Sequence, residues 1–319
     1  MDYLYALQVA RESWAQFLTP VLYVVSEFAF YGVPLVAIML YLCVDKVKYE
    51  RMAFSLIAAN FLANFIKVIV CVYRPWISDS RLHVAPLAEH SSSGYSCPSG
   101  HTTGGTIFYG SLAVNNRNNK KRVAVCIALI LLTAFSRNWL GAHTILDVVA
   151  AIIISAACIW ACNMLLDYIY ANPEKDKLVA LLGILIAVAG MIICLVKPYP
   201  MDYAADGSLL CDPILTQKDT WLAIGFMVAW FISWYVDRHY TNFTTVVPVK
   251  TKVIRGIIGA LLFALLYEVI MKKITAPLDI RPGSFIRGFV TIGVCAGIYP
   301  AVFTWLENRK KVGSQNERG

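Results

Sequence analysis

The sequence predicts an all-α integral membrane protein with about nine transmembrane helices in a helical bundle. Two observations carry that prediction. Hydrophobic residues make up 58% of the 319 positions and charged residues only 15%, where a soluble domain carries about 25% charged residues. Nine stretches are also long and apolar enough to approach or span the ~30 Å hydrocarbon core of a bilayer.

The opening segment, MDYLYALQVARESWAQFLTP, mixes charge with apolar residues and lacks the basic start and small-residue cleavage site of a signal peptide. It predicts a short amphipathic helix lying on the surface. The spans follow at roughly 20–43, 53–72, 99–115, 123–141, 145–166, 178–196, 220–236, 254–271 and 284–306. The third, rich in glycine and threonine, is the weakest on hydropathy. A polar loop, YANPEKDK at 170–177, divides the chain. Residues 1–170 form the predicted core, with the N-terminal helix and five spans; residues 171–319 hold four spans and a tail.

Loop charge orients the chain. Of 28 basic residues, 17 fall on one side: Lys46, Lys48, Arg51, Arg117, Lys120, Lys121, Arg122, Lys175, Lys177, Arg238, Lys250, Lys252, Arg255, Arg309, Lys310, Lys311 and Arg318. By the positive-inside rule that side is cytoplasmic, the N-terminus is outside and the C-terminal tail inside. The net charge of +8 is mostly this topological signal. It is scattered over short loops, which excludes a nucleic-acid partner. The nine cysteines form no metal-type pair. Cys97 and Cys211 both fall in predicted outside loops, where a disulfide between them is one option.

Glu27 in the first span and Glu268 in the eighth are acidic groups near the membrane. Such residues are functional candidates by default, but both fall near the outer interface, where pairing or snorkelling accounts for them.

Three outside-facing segments carry the chemistry. In KVIVCVYRP, Lys67 and Arg74 are seven residues apart, two helical turns, so a continuing helix would project both from one face with Lys67 roughly 10 Å deeper. Arg74 alone reads as a snorkelling residue. Lys67, set among apolar neighbours, needs a partner or a watered cavity. In GYSCPSGHTTGG, Pro98 suits a first helical turn. Ser99, Gly100 and His101 then occupy a helix N-terminus, where free N–H groups favour an anion, although an ordinary capped helix start would look the same. In SRNWLGAHTILD, Arg137 ends the fourth span and His143 starts the fifth, with Asp147 four residues on. Positions i and i+4 share a helix face, so Asp147 can orient one imidazole nitrogen and leave the other free to attack. Chain parity puts all three segments on one face, a site for a dianion such as phosphate.

The pattern Lys67-x6-Arg74-Pro75, Pro98-Ser99-Gly100-His101 and Ser136-Arg137-x5-His143-x3-Asp147 resembles the three-part signature of the type 2 phosphatidate phosphatase superfamily, which includes vanadium haloperoxidases. The nine-span layout is similar to the glucose-6-phosphatase and sphingosine-1-phosphate phosphatase branches. The resemblance implies that His143 is the nucleophile, that Asp147 orients it, and that His101 is general acid and then base. Lys67, Arg74, Arg137 and the amides around Ser99 and Gly100 hold the phosphoryl oxygens. Three fixed cations stand in for a metal, so no cofactor is expected. The leading reading is hydrolysis of a lipid phosphate or diphosphate at the extracytoplasmic face. Alternatives are a soluble ester such as a sugar phosphate, phosphotransfer to an acceptor hydroxyl, and, more remotely, a transporter or an inactive scaffold. The acyl or prenyl group and the oligomeric state are not encoded in any motif.

Overall fold

The computed structural model describes the backbone of residues 1–316 and side chains through residue 309; the side chains of Lys310, Lys311 and Arg318 lie outside the described residues. Within them the fold is all-helical, with one isolated β-bridge between Tyr203 and Leu209. Helix α1 (Asp2–Ser13) precedes α2 (Leu18–Cys43), which contains a π-helical turn at Phe28–Gly32. Then come α3 (Lys46–Val70), α4 (Gly100–Asn115), α5 (Lys120–Trp139), α6 (Ile145–Ala171), α7 (Asp176–Val196), α8 (Pro213–Val236), α9 (Val249–Thr275) and α10 (Ile280–Arg309).

Eight of these helices are long and apolar enough to cross a membrane. The expected third span, α4, covers its expected range but is a helix of only 16 residues, about 24 Å at 1.5 Å per residue, shorter than the ~30 Å core. It runs from the Ser99 cap to the Asn-rich turn at 116–119. Its glycines let neighbours come close instead: a Cβ on Gly104 would lie 2.5 Å from the Ala29 carbonyl oxygen, and one on Gly105 would meet Thr133 at 3.0 Å.

Polar caps set the helix starts. Asp45, Asn119 and Asp212 each accept a backbone N–H in the first turn of α3, α5 and α8, satisfying donors that the helix itself leaves open. One apolar cluster joins both parts of the chain. Phe54 of α3 meets Trp230, Phe231 and Trp234 of α8 edge-on at 5.2–5.6 Å, the geometry that ring quadrupoles favour.

The two ends of the bundle are distinct. At one end Lys46 pairs with Asp237, Arg238 donates to Asp176 at 2.7 Å, and Arg255 clasps Glu307 at 2.5 Å. At the other, α1 is not merely laid on the surface. Arg11, buried, donates to the carbonyls of Trp139 and His83 at 3.0 Å, and Gln8 bonds Arg81 and His83. Helix α1 is thereby pinned across the loops at the end where Val70, Gly100, Trp139 and Ile145 converge. Cys97 and Cys211 are free thiols, so the optional disulfide is absent; Cys211 Sγ contacts Thr216 Oγ1 at 3.3 Å instead.

Candidate active site

Lys67 sits in the last turn of α3, buried, and the helix ends three residues later with Cys71 in the left-handed region at φ 52°. The expected continuous helix to Arg74 is therefore absent. Pro75 disfavours helical geometry in the residue before it, and Arg74 is extended at ψ 154°. The chain turns there and folds Arg74 back into the bundle. Its guanidinium donates to the carbonyls of Gly94 at 2.9 Å, Ser93 at 2.8 Å and Ala142 at 2.9 Å. Nη1 also reaches Nε2 of His143 at 3.1 Å.

His143 precedes α6 rather than lying in it. Thr144 is the cap, and it forms a reciprocal capping box with Asp147: the threonine hydroxyl accepts the Asp147 N–H while Asp147 Oδ2 accepts the Thr144 N–H at 2.7 Å. That box fixes the carboxylate. His143 Nδ1 lies 3.6 Å from Asp147 Oδ2, too long for a direct hydrogen bond. Ser96 fills the gap, donating to Asp147 Oδ2 at 2.6 Å with its Oγ 3.3 Å from His143 Nδ1. Because Arg74 can only donate, Nε2 is the acceptor nitrogen and Nδ1 carries the proton. Burial, with the Arg74 guanidinium alongside, holds the imidazole well below its usual range. His143 is thus neutral, with its lone pair on Nε2.

The PSGH segment also differs in register. Ser99 is the N-cap, accepting the Thr102 N–H, and Pro98 stands before the helix rather than in its first turn. The Ser99 N–H donates to the Asp147 carbonyl at 3.1 Å, tying the start of α4 to that of α6. A Cβ placed on Gly100 would meet nothing within 4 Å, so the backbone there borders open space. His101 lies buried at the same helix start, with Nε2 3.3 Å from Glu27 Oε1.

Arg137 is fully buried. Its Nη1 donates to Ser26 at 2.8 Å and Nη2 to Ser92 at 3.3 Å, while Nε has no partner. An unpaired buried guanidinium N–H is costly, and an anion would satisfy it. Lys67 lies within electrostatic reach of Arg74, Asp219, Arg137 and Asp147, and its ammonium has no hydrogen bond among the described residues. The three buried cations Lys67, Arg74 and Arg137 share this end of the bundle with the carboxylates of Asp147, Glu27 and Asp219. What suits an anion is the unused donors, Arg137 Nε and the Lys67 ammonium, because hydrogen bonds to a charged acceptor are the strong ones. The neighbouring Cys97 thiol is pushed up to about 11, by burial first and then by Asp147, which keeps it protonated. Among the described residues no group of three or more His, Cys, Asp or Glu side chains is placed to hold a metal ion.

Residues 49–171 match the family model of the PAP2 superfamily. The PAP2 segment takes in all eight residues singled out from sequence, and it supports a phosphatase-like hydrolase in general terms. No curated protein and no solved structure matches the chain. Several residues at the site carry no motif. Ser96 and Ser92 are ordinary loop serines in sequence, with nothing to distinguish them. Ser26 and Glu27 are a polar pair inside an apolar run, a signal that was present. Glu27 is turned toward His101 rather than toward the interface; Glu268, by contrast, is partly exposed and pairs with Lys272 at 3.0 Å.

Proposed function

We propose that this chain is a metal-independent membrane phosphatase that hydrolyses a lipid phosphate or diphosphate at the extracytoplasmic face through a phosphohistidine. The observation that carries the reading is the placement of His143, with Nδ1 beside Ser96, which bridges to Asp147, and Nε2 against Arg74. A phosphoryl group entering the cluster draws Arg74 onto its oxygens and frees the Nε2 lone pair.

In the first half-reaction Nε2 attacks phosphorus, the bond to the leaving oxygen breaks, and His101 supplies that oxygen with a proton. In the second, water attacks the phosphohistidine, its proton passes to His101, and the electron pair returns to His143. Lys67, Arg74, Arg137 and the amides near Gly100 hold the three equatorial oxygens, where charge is spread in the transition state. Asp147 stabilises the positive charge that develops on His143. Residues 1–170 form the phosphatase core in this reading, and residues 171–319 pack against it.

The lipid preference rests on depth. Lys67 lies one turn inside the end of a membrane helix, so a lipid can present its phosphate with its chain still in hydrocarbon. Each buried CH₂ contributes ~0.8 kcal/mol. The test assays phosphate release by purified protein from long-chain lipid phosphates, lipid diphosphates, short-chain analogues and glucose 6-phosphate in one detergent, with acid-quench trapping of labelled phosphohistidine. A much higher kcat/KM for long chains, and loss of the trapped species in His143→Ala, is expected. Equal or better turnover of the soluble ester overturns the lipid assignment, and a trapped intermediate persisting in His143→Ala overturns the mechanism.

A further inference from the structure

A carboxylate in the first membrane helix needs a reason to be there, because burying it is expensive unless it is paired. Glu27 has two close imidazole partners. His101 Nε2 is 3.3 Å from Oε1, and His90 Nε2, on a half-exposed ring, is 3.9 Å from Oε2. Among the described residues no lysine or arginine forms an ion pair with it. The π-helical turn at Phe28–Gly32 begins directly after Glu27 and wraps the start of α4. Phe30 of that turn stacks on the His101 ring, centroids 4.7 Å apart at 24°. The close approach of Gly104 to the Ala29 carbonyl fixes how near the turn can come. Two successive features of α2, one carboxylate and one aromatic face, thus converge on one imidazole that is only 4% exposed.

We propose that Glu27 is the positioning residue of the general acid, holding His101 as Asp147 and Ser96 hold His143; this rests on the phosphatase reading above. A carboxylate accepting the Nε2–H assigns that proton and leaves Nδ1 as the nitrogen that exchanges protons with the substrate. When the bond to the leaving oxygen breaks, its electron pair takes the Nδ1 proton. When water attacks phosphorus, the water proton returns to Nδ1 and the P–N bond gives its pair back to His143. Glu27 stays ionised throughout and offsets the charge on His101 whenever both ring nitrogens are protonated. The site then contains two histidine–carboxylate pairs of unlike role, one on the nucleophile and one on the acid. The other charged or titratable groups facing this pair are Arg137, held through Ser26, His90, Tyr23, Tyr31 and, across the site, His143.

The test uses the full-length protein in one detergent, with Glu27→Gln and Glu27→Asp, on hexadecyl phosphate and p-nitrophenyl phosphate. General-acid help is worth ~10²–10⁴-fold and matters when the leaving oxygen is basic. Glu27→Gln is therefore expected to lower kcat on hexadecyl phosphate by roughly 10–100-fold. On p-nitrophenyl phosphate the loss should stay within about threefold, with KM nearly unchanged on both and partial recovery in Glu27→Asp. Equal losses on the two esters, or none on the alkyl ester, overturn the proposal. Imidazole NMR of His101 gives a second readout independent of turnover: its Nε2–H resonance should lie downfield in the wild type and move in Glu27→Gln. Should the wild-type protein release no phosphate from either ester, the phosphatase reading falls by itself. An unmoved His101 resonance would separately refute the pairing.

Discussion

Arg74 Nη1 and His143 Nε2 lie 3.1 Å apart, a guanidinium donating into the lone pair of the ring proposed as the nucleophile. Three carbonyls, of Gly94, Ser93 and Ala142, hold the arginine in that position. The contact decides the tautomer of His143 and, in the proposed reaction, marks where a phosphoryl oxygen would compete for the same donor. It also links a residue four positions beyond the end of α3 to one before the start of α6.

The charge state of His143 follows from that placement. Burial disfavours the imidazolium and the neighbouring guanidinium adds repulsion, so both push proton uptake to lower pH. An NMR titration of the His143 ring is expected to show the neutral form throughout pH 6–8, with protonation well below the ordinary histidine value of about 6.5. A midpoint at or above that value would contradict the buried contact with Arg74.

In the proposed mechanism Ser96 acts as a positioning residue, one that no motif announces. Ser96→Ala removes the link between Asp147 and Nδ1 of His143 while leaving the carboxylate its bond from the Thr144 N–H. Hydrogen bonds to charged groups contribute about 1.5–3 kcal/mol, so kcat is expected to fall roughly 10–100-fold with KM little changed. Steady-state kinetics on one lipid phosphate checks this, and an unaltered kcat would remove Ser96 from the site.

Gly104 fixes the spacing between α4 and the π-turn of α2. A methyl group there would stand 2.5 Å from the Ala29 backbone oxygen, and backbone gives way less readily than a side chain. Overpacking of this kind costs about 1–3 kcal/mol. Gly104→Ala is expected to melt several degrees below the wild type in detergent, with activity reduced because His101 rides on the same helix. Gly207→Ala, where a Cβ meets nothing within 4 Å, is the comparison for a glycine away from any contact, although its φ of +82° adds a backbone cost of its own. Wild-type melting in Gly104→Ala would mean that the two helices do not approach as described.

Membrane orientation is open to a labelling experiment. In a background with Cys71, Cys97 and Cys211 changed to serine, single cysteines at Ser80 and Ser208 are expected to react with an impermeant maleimide added outside intact cells. A cysteine at Asn118, in the turn between α4 and α5, is expected to react only after permeabilisation. The reverse pattern would turn the site to the cytoplasm and overturn the loop-charge assignment.

The sequence by itself determined the helical membrane class, because hydrocarbon forces every backbone group to be satisfied within its own segment and so leaves a long apolar run only one common solution. It also determined features written over a few residues: a helix start within the PSGH segment and the proximity of His143 and Asp147 within one turn. Pro75 restrains only Arg74; the end of α3 at Val70, with Cys71 left-handed, comes four residues earlier and departs from the continuing helix that the spacing suggests. Tertiary structure decided the rest. Ser96 stands between His143 and Asp147 from 47 and 51 positions away, and Glu27 reaches His101 across 74. Ser26 reaches Arg137 across 111 positions. The short length of α4 belongs partly to each: its caps are local, but its glycine-lined approach to α2, α5 and α6 is set by packing. Capping and periodicity act through hydrogen bonds and side-chain spacing inside one segment, so they are legible there. A lone serine or glutamate acquires a partner only when packing helices bring distant segments within about 3 Å, and no local pattern encodes which segment that will be.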